Sequence, residues 1–291
     1  MPTNDPRPSK AVRRDEARVM AQKLREQQKK RDRRNRIIAI SGLVAALAVL
    51  AIVVVVILGN SKSNAPIGYS GTALAIADSN PPSTAQANGG IPVGSDGVAG
   101  TTSAAGAVTV DLYTDYMCSA CGEFEKANVA AINQLRTTGD ITVVYHPISI
   151  LDRMSNGTEY STRAANAAAI VADAAPDAFV AFNDALFANQ PAENTAGLSD
   201  ARIAELALGA NVPQSVVDTF ADRVPAKDWL KFAPYVAALT AQATTDITAL
   251  GEKQVQTPTV ALNGQLYDYT TYNWTIAGNF EKAVAAAKAA K

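Results

Sequence analysis

The chain has 291 residues, enough for one or two domains, and its formal net charge is −1. This total hides an asymmetry, because residues 1–36 contain 13 Lys and Arg against 5 Asp and Glu, a net +8, whereas residues 37–291 carry −9. Most of the chain is therefore acidic, which argues against nucleic acid as its partner.

The first 58 residues are typical of a membrane anchor. Residues 37–58 contain no charge and one hydroxyl, Ser41, and a helix of that length at about 1.5 Å per residue spans a hydrocarbon layer of about 30 Å. Four Arg residues precede the segment and only Lys62 follows it closely, so the positive-inside rule places the basic arm, residues 1–36, in the cytoplasm and everything after Leu58 outside. A cleaved signal peptide is the alternative, although its apolar region is usually about 7–15 residues.

Residues 59–88 are rich in Ser, Asn, Pro, Gly and Ala, which predicts a flexible tether. A short apolar run within it, residues 72–77, is a candidate strand or helix fragment attached to the domain. Residues 91–94 and 97–100 then predict a short hairpin ahead of the first core strand.

From Val108 onward the pattern is α/β. A strand leads into a helix and a second strand, a long stretch of amphipathic helices follows, and two strands joined by Asn-Gly precede a terminal helix. The predicted strands are 108–114, 141–145, 257–262 and 265–269; the predicted helices are 118–136, 158–174, 176–189, 199–208, 213–222, 229–253 with a possible kink at Pro234, and 272–291.

Both cysteines of the chain lie in one Cys-x-x-Cys, from Cys118 to Cys121, at the predicted strand-to-helix turn. A helix that begins at Cys118 points free N–H groups and its positive dipole end at that sulfur, which lowers the thiol pKa. Cys118 is then the nucleophile, and Cys121, about one turn further on, is the resolving thiol. A structural zinc site would usually need four Cys or His ligands, and an inert disulfide across so short a loop would contribute little stability.

The order of elements resembles a thioredoxin fold with a helical insertion, and the sequence is similar to the DsbA-like family, most closely to its membrane-anchored extracytoplasmic actinobacterial members. The resemblance covers about Gly90 to Lys291, within a predicted domain from residue 89 to 291 whose insertion lies at about 155–253. The segments that carry it are Tyr113–Cys121 with Phe124-Glu125, Tyr145–Ile148, Tyr160–Ala164, Leu186–Pro191, and Thr257–Val260 with Asn263-Gly264.

The resemblance implies that Pro258 is a cis-proline facing the dithiol. The backbone of Thr257 would then pair with an extended substrate segment as an added β-strand, whereas a strand-edge proline is the plain alternative. Tyr116 and Met117 are expected to form an apolar rim against substrate or to be part of the core.

The sequence departs from the family at two places. Ser119 and Ala120 stand where DsbA has Pro-His, which puts strong oxidising power in question, and Leu112 stands where thioredoxin has a buried carboxylate. Asp115, the nearest carboxylate in sequence, is a candidate for proton handling or pKa tuning, against a turn or capping role. His146, the only histidine, is a weaker candidate for tuning the site and is expected to be structural.

The resulting expectation is a single-pass membrane protein whose extracytoplasmic domain forms disulfides in exported, cysteine-containing proteins. The resemblance implies that a quinone-linked membrane oxidase would reoxidise it, and the domain itself would need no cofactor and no metal. An isomerase or reductase of the same fold is one alternative. A membrane-tethered binding module with an inert disulfide is the alternative from another class.

Overall fold

Five strands form one mixed sheet in residues 68–290, the part of the chain that the computed structural model describes. Their spatial order is β1-β3-β2-β4-β5; β2 and β3 pair in parallel, and the other three pairs are antiparallel. The strands are β1 (Ile91–Val93), β2 (Val108–Thr114), β3 (Ile141–Pro147), β4 (Thr259–Leu262) and β5 (Gln265–Leu266).

Helices cover the sheet and fill the long connection between β3 and β4. The helix between β2 and β3 makes the crossover that two parallel strands require, and the five helices between β3 and β4 are the insertion. The helices are α1 (Ser119–Thr137), α2 (Tyr160–Ala174), α3 (Phe179–Ala188), α4 (Asp200–Gly209), α5 (Gln214–Val217), α6 (Ala233–Ala249) and α7 (Asn279–Ala289).

The thioredoxin fold with a helical insertion is therefore confirmed in the described residues. The predicted basic arm (1–36) and transmembrane helix (37–58) lie outside them. Within residues 68–290, no helix is both long and apolar enough to cross a membrane.

Burial explains the two central strands. All seven residues of β3 are buried, as are five of the seven residues of β2. Both strands are rich in β-branched and aromatic residues, which suit a pleated surface covered on two sides. The β4–β5 hairpin turns at Asn263 and Gly264, whose φ angles of 52° and 75° have the positive sign that a two-residue type I′ turn needs.

Several predicted elements are wrong in extent. The expected hairpin at 91–100 is reduced to one bridge between Val93 and Ala99, because β1 pairs with β3 instead. The helix expected from residue 229 begins at Ala233. Pro234 lies in its first turn, where a backbone N–H has no partner within the helix, so the proline is tolerated there and does not kink the helix.

Three further helices are shorter than expected. α5 ends at Val217 instead of Asp222, and α7 begins at Asn279 after the left-handed Gly278, not at Tyr272. The segment from Pro176 to Ala178 is a 3₁₀ turn leading into α3. In the segment before α7, side chains form local hydrogen bonds that favour a turn over a helix. Asn273 accepts hydrogen bonds from the N–H and hydroxyl groups of Thr275.

Part of the segment that we assigned to the tether packs against the domain. Ile76 is buried in a short 3₁₀ turn, and the N–H of Ser83 donates to the Asp173 carboxylate at the end of α2. Directly after this segment, the hydroxyl of Tyr235 in α6 donates to the carbonyl of Gly89 at 2.6 Å. The attached fragment expected at 72–77 is thus present as a turn at Ile76–Asp78.

Candidate active site

Cys118 is the N-cap residue of α1, in the turn that follows β2. Its backbone is extended, its N–H donates to the carbonyl of Asp115 at 2.9 Å, and its sulfur accepts from the N–H of Cys121 at 3.3 Å. The helix begins one residue later than predicted because Cys118 caps it with its own side chain. The free N–H groups and the positive dipole end of the first turn therefore lie at this sulfur.

The two thiols, which are free in this structure, differ sharply in acidity. The pKa of Cys118 is lowered to about 6, chiefly because the Cys121 thiol donates a hydrogen bond to its sulfur, while burial and the Glu193 carboxylate act in the opposite direction. Burial raises the pKa of Cys121 well above its ordinary value, and the neighbouring Cys118 adds to the effect. Near neutral pH the pair is therefore one thiolate, at Cys118, and one thiol, at Cys121.

Thr257 lies directly beside the Cys118 sulfur. Its carbonyl oxygen is 3.2 Å from Sγ, and the Thr257–Pro258 peptide bond is cis, as the resemblance implied. β4 accounts for this position: its first residue, Thr259, pairs with Tyr113 near the end of β2, so the segment before β4 meets the turn that follows β2.

The Asp115 side chain anchors the active-site turn. One carboxylate oxygen accepts from the N–H of Met117 at 2.8 Å and the hydroxyl of Ser161 at 2.6 Å, and the other accepts from the N–H of Leu151 at 2.9 Å. Burial raises the pKa of this carboxyl to about 7, against the lowering effect of these hydrogen bonds. The structure thus gives Asp115 a turn role, and its role in proton handling or pKa tuning stays a prediction.

Tyr116 and Met117 lie in the core, which was the second of the two expectations for them. Both side chains are fully buried. The Tyr116 hydroxyl donates to Oδ1 of Asn183 at 3.0 Å, and its ring packs against Phe187 of α3. The turn after β2 points both side chains inward, and Tyr116 connects this turn to the insertion; a rim position is not what the structure shows.

His146 is buried on β3, opposite Tyr113 in the β2–β3 register. Its ring stacks on the Tyr113 ring with centroids 4.2 Å apart, and its Nε2 lies 3.1 Å from Oδ1 of Asp111. These contacts tie together the two central strands and match the structural interpretation.

Two insertion residues that sequence reasoning missed contact the dithiol turn. Glu193 accepts hydrogen bonds from both the N–H and the hydroxyl of Ser119, at 2.9 and 2.8 Å. The amide of Gln190 donates to the carbonyls of Tyr116 and Cys118 at 3.1 and 2.8 Å. Gln190 belongs to a segment that carries the resemblance, but no sequence signal pointed to Glu193. Ala120, between the cysteines, is half-buried against the core.

A third missed residue is Glu125, one helical turn after Cys121 in α1. Its side chain is buried, and its Oε1 has no hydrogen-bond partner among the described residues. Burial raises the pKa of this carboxyl to about 8, and the nearby Asp184 carboxylate contributes. Its position next to Phe124 in a segment that carries the resemblance was the only available signal.

The fold and the paired thiols define a class, the protein thiol–disulfide oxidoreductases built on a thioredoxin fold. A family model described as Thioredoxin matches residues 94–276, more than half of the chain. The chain therefore belongs to the thioredoxin family, in its DsbA-like group.

Solved structures agree with this assignment. The reduced disulfide bond oxidoreductase DsbG of Mycobacterium tuberculosis is 30% identical with a TM-score of 0.50, over 69% of this chain and 92% of that one. The thiol-disulfide oxidoreductase MdbA of Actinomyces oris has a TM-score of 0.55 over 74% of this chain and 96% of its own, at 23% identity, and therefore supports the fold.

A match of another kind involves the serine/threonine-protein kinase PknE of Mycobacterium tuberculosis. It is 35% identical over 103 residues, which make up 34% of this chain and 18% of the kinase. The chain thus spans less than a fifth of this curated relative, and the match gives no argument for kinase activity here.

Proposed function

We propose that this chain is a membrane-anchored, extracytoplasmic oxidoreductase that forms disulfides in exported proteins through Cys118 and Cys121. The observation that carries the proposal is the asymmetry of the two thiols. Cys118 has a lowered pKa at a helix N-terminus beside the backbone carbonyl of Thr257, whereas Cys121 is buried with a raised pKa. A sulfur of low pKa is a good leaving group in thiol–disulfide exchange, so a disulfide that contains it is readily transferred.

The chemistry proceeds in two exchanges. A substrate thiolate attacks the Cys118 sulfur of the oxidised enzyme, the Cys118–Cys121 bond breaks, and Cys121 leaves and takes up a proton. A second substrate thiolate then attacks the substrate sulfur of the mixed disulfide and expels Cys118 as a thiolate. The substrate loses two electrons and gains a disulfide, and the enzyme keeps the two electrons as a reduced pair. No cofactor takes part in either exchange.

Thr257 and Pro258 are proposed to position the substrate. The Thr257 carbonyl next to the Cys118 sulfur is a backbone acceptor that an extended substrate segment would meet as an added strand. This backbone contact would bring a substrate cysteine to Cys118 without contacts to the side chains of the substrate, which suits an enzyme that acts on many exported proteins.

Membrane anchoring and reoxidation complete the proposal. The apolar segment 37–58 and the basic arm before it support a single span with the catalytic domain outside the cytoplasm. Because the enzyme leaves each cycle reduced, it needs an electron acceptor, and the resemblance to DsbA-like proteins points to a quinone-linked membrane oxidase. Reporter fusions after residue 65 test the topology: a periplasm-dependent reporter should be active there, and activity of a cytoplasm-dependent reporter would contradict it.

A reductase or isomerase is the second candidate. One observation favours it: the Glu193 carboxylate at the same helix N-terminus acts against the Cys118 thiolate. Equilibration of the full-length protein in detergent with glutathione buffers separates the two. A potential near about −120 mV supports disulfide formation, and one near about −270 mV supports reduction or isomerisation. A pair that resists still lower potentials, with an unreactive Cys118, would leave only a binding module.

A further inference from the structure

A short segment of the insertion, residues 189–194, crosses the mouth of the dithiol turn; we call it the strap. It is anchored at both ends. Asn189 accepts from the guanidinium of Arg202 in α4 at 2.7 Å, and the N–H of Asn194 donates to the carbonyl of Met154 at 2.8 Å. Asn156 also donates from its side chain to the carbonyl of Asn194 at 3.0 Å. The position of the strap is thus set by the insertion, not by the dithiol turn.

Between these anchors the strap holds the start of α1 from both sides. The Gln190 amide donates to the carbonyl of Cys118, and the Glu193 carboxylate accepts from the N–H and hydroxyl of Ser119. Gly122 permits this approach, because a Cβ atom there would collide with Oε1 of Gln190. Three features of the turn therefore accommodate the strap: the carbonyl of Cys118, the N–H and hydroxyl of Ser119, and the absence of a Cβ atom at Gly122.

Two anions share one helix N-terminus as a result. The Cys118 sulfur accepts a hydrogen bond from the N–H of Cys121, and the Glu193 carboxylate accepts one from the N–H of Ser119. Within residues 68–290 no Lys or Arg forms an ion pair with Glu193, so its charge is not neutralised locally. The Glu193 carboxylate is held by these hydrogen bonds, and its pKa is lowered by them, so it is ionised wherever Cys118 is a thiolate.

We propose that Glu193 is a positioning residue through which the insertion makes the Cys118–Cys121 pair less oxidising than its helix N-terminus alone would make it. The Cys118 thiolate exists only in the reduced protein, whereas Glu193 is charged in both states. Repulsion between them therefore destabilises the reduced protein and leaves the disulfide form unaffected. The inference rests on the thiol–disulfide chemistry of the pair and holds for either direction of the reaction, because it compares variants with one another.

The test measures two quantities on the full-length protein in detergent. One is the equilibrium constant of the pair with glutathione at pH 7.5 and pH 5, and the other is the pH dependence of Cys118 alkylation. Glu193→Gln keeps an oxygen acceptor for Ser119 and removes the charge. We expect it to shift the equilibrium at pH 7.5 about two- to fivefold toward the reduced protein, since charges at a helix terminus have effects of that size, which is about 10 to 20 mV for a two-electron couple.

At pH 5, where Cys118 is mostly protonated, the equilibrium constants of Glu193→Gln and the unmodified protein should become nearly equal. Alkylation of Cys118 should reach half its maximal rate at a lower pH in Glu193→Gln than in the unmodified protein. A purely structural role for Glu193 would not produce this pH dependence. Glu193→Lys provides a second variant, and reversal of the charge should move both quantities further in the same direction.

Glu123→Gln is the matched control. Glu123 lies exposed on α1, and its side chain makes no hydrogen bond to any residue that the structure describes, so the substitution changes the charge of the helix without affecting Ser119. Unchanged potentials in both Glu193 variants would overturn the proposal. Equal shifts in Glu193→Gln and Glu123→Gln would also overturn it, because the effect would then be general charge. If the dithiol proved unreactive in the unmodified protein, the oxidoreductase function itself would fail, and that result is distinct from either outcome.

Discussion

The carbonyl oxygen of Thr257 lies 3.2 Å from the sulfur of Cys118, although 139 residues separate them in the chain. The contact exists because β2 and β4 are neighbours in the sheet while the whole helical insertion lies between them in sequence. The insertion thus closes one side of the dithiol, through Glu193 and Gln190, and the segment before β4 closes another.

Selective alkylation tests the assignment of the two thiols. In the reduced protein, Cys118 should react with iodoacetamide at a half-maximal rate near pH 6, whereas Cys121 should stay unmodified throughout the range in which Cys118 titrates, because only the thiolate attacks and burial suppresses it at Cys121. Mass spectrometry of the peptide that contains both residues reports each site, and Cys121→Ser, whose hydroxyl can still donate to the Cys118 sulfur, gives a Cys118 profile without the second thiol. Half-maximal alkylation of Cys118 near pH 9 would contradict the assignment.

Glu125 should make the stability of the domain depend on pH. The folded protein holds this proton up to about pH 8, whereas the ordinary pKa of Glu is 4.5, so the folded state binds more protons between these values and stability falls as pH rises through them. Glu125→Gln cannot ionise, so between pH 5 and pH 8.5 it should lose roughly 4 kcal/mol less stability than the unmodified protein, at about 1.4 kcal/mol per pH unit.

Urea unfolding at several pH values measures this difference, with Glu123→Gln as the control on the exposed face of the same helix. The carboxyl of Asp115, with its pKa raised to about 7, adds a slope of the same sign that both variants keep. Equal slopes in Glu125→Gln and the unmodified protein would show that the buried carboxyl does not hold its proton.

Tyr116→Phe separates a core role from a rim role. The change removes a hydroxyl that donates to the buried Asn183, and the free energy of unfolding should fall by about 1 to 2 kcal/mol because the Asn183 oxygen loses its donor. The ring itself is kept, so the KM for a reduced, unfolded substrate should not change. An increase in KM at unchanged stability would instead place Tyr116 at the substrate surface.

The strap predicts coupling between Gly122 and Gln190. In the unmodified background, Gly122→Ala should destabilise the domain, because the added Cβ displaces the Gln190 amide from the carbonyls of Tyr116 and Cys118. In a Gln190→Ala background the same change should stabilise it by about 0.5 to 1 kcal/mol, the ordinary advantage of Ala over Gly inside a helix. Urea unfolding of the four proteins completes a double-mutant cycle, and additive effects would show that the strap does not contact the turn in this way.

The sequence was sufficient to predict the elements whose patterns are local. β2 and β3 are long apolar runs, Asn263-Gly264 is a turn that only a few residues can form, and Ser199 caps α4 by accepting from the N–H of Arg202. The predicted boundaries and pairings of elements were wrong where the local sequence is compatible with more than one structure. Pro234 suits the first turn of a helix as well as a kink, and nothing local indicates that β1 pairs with β3 instead of residues 97–100.

The sequence by itself determined the chemistry: two thiols at one strand-to-helix turn, a Thr-Pro far downstream, and an apolar segment preceded by basic residues. Only the tertiary structure decided the surroundings of those thiols. Asp115 became an anchor of the turn, Tyr116 and Met117 became core, Glu125 became a buried carboxyl, and Glu193 became part of the site. Burial and contacts between residues distant in sequence shift pKa values and select hydrogen-bond partners, and neither can be read from the spacing of residues along the chain.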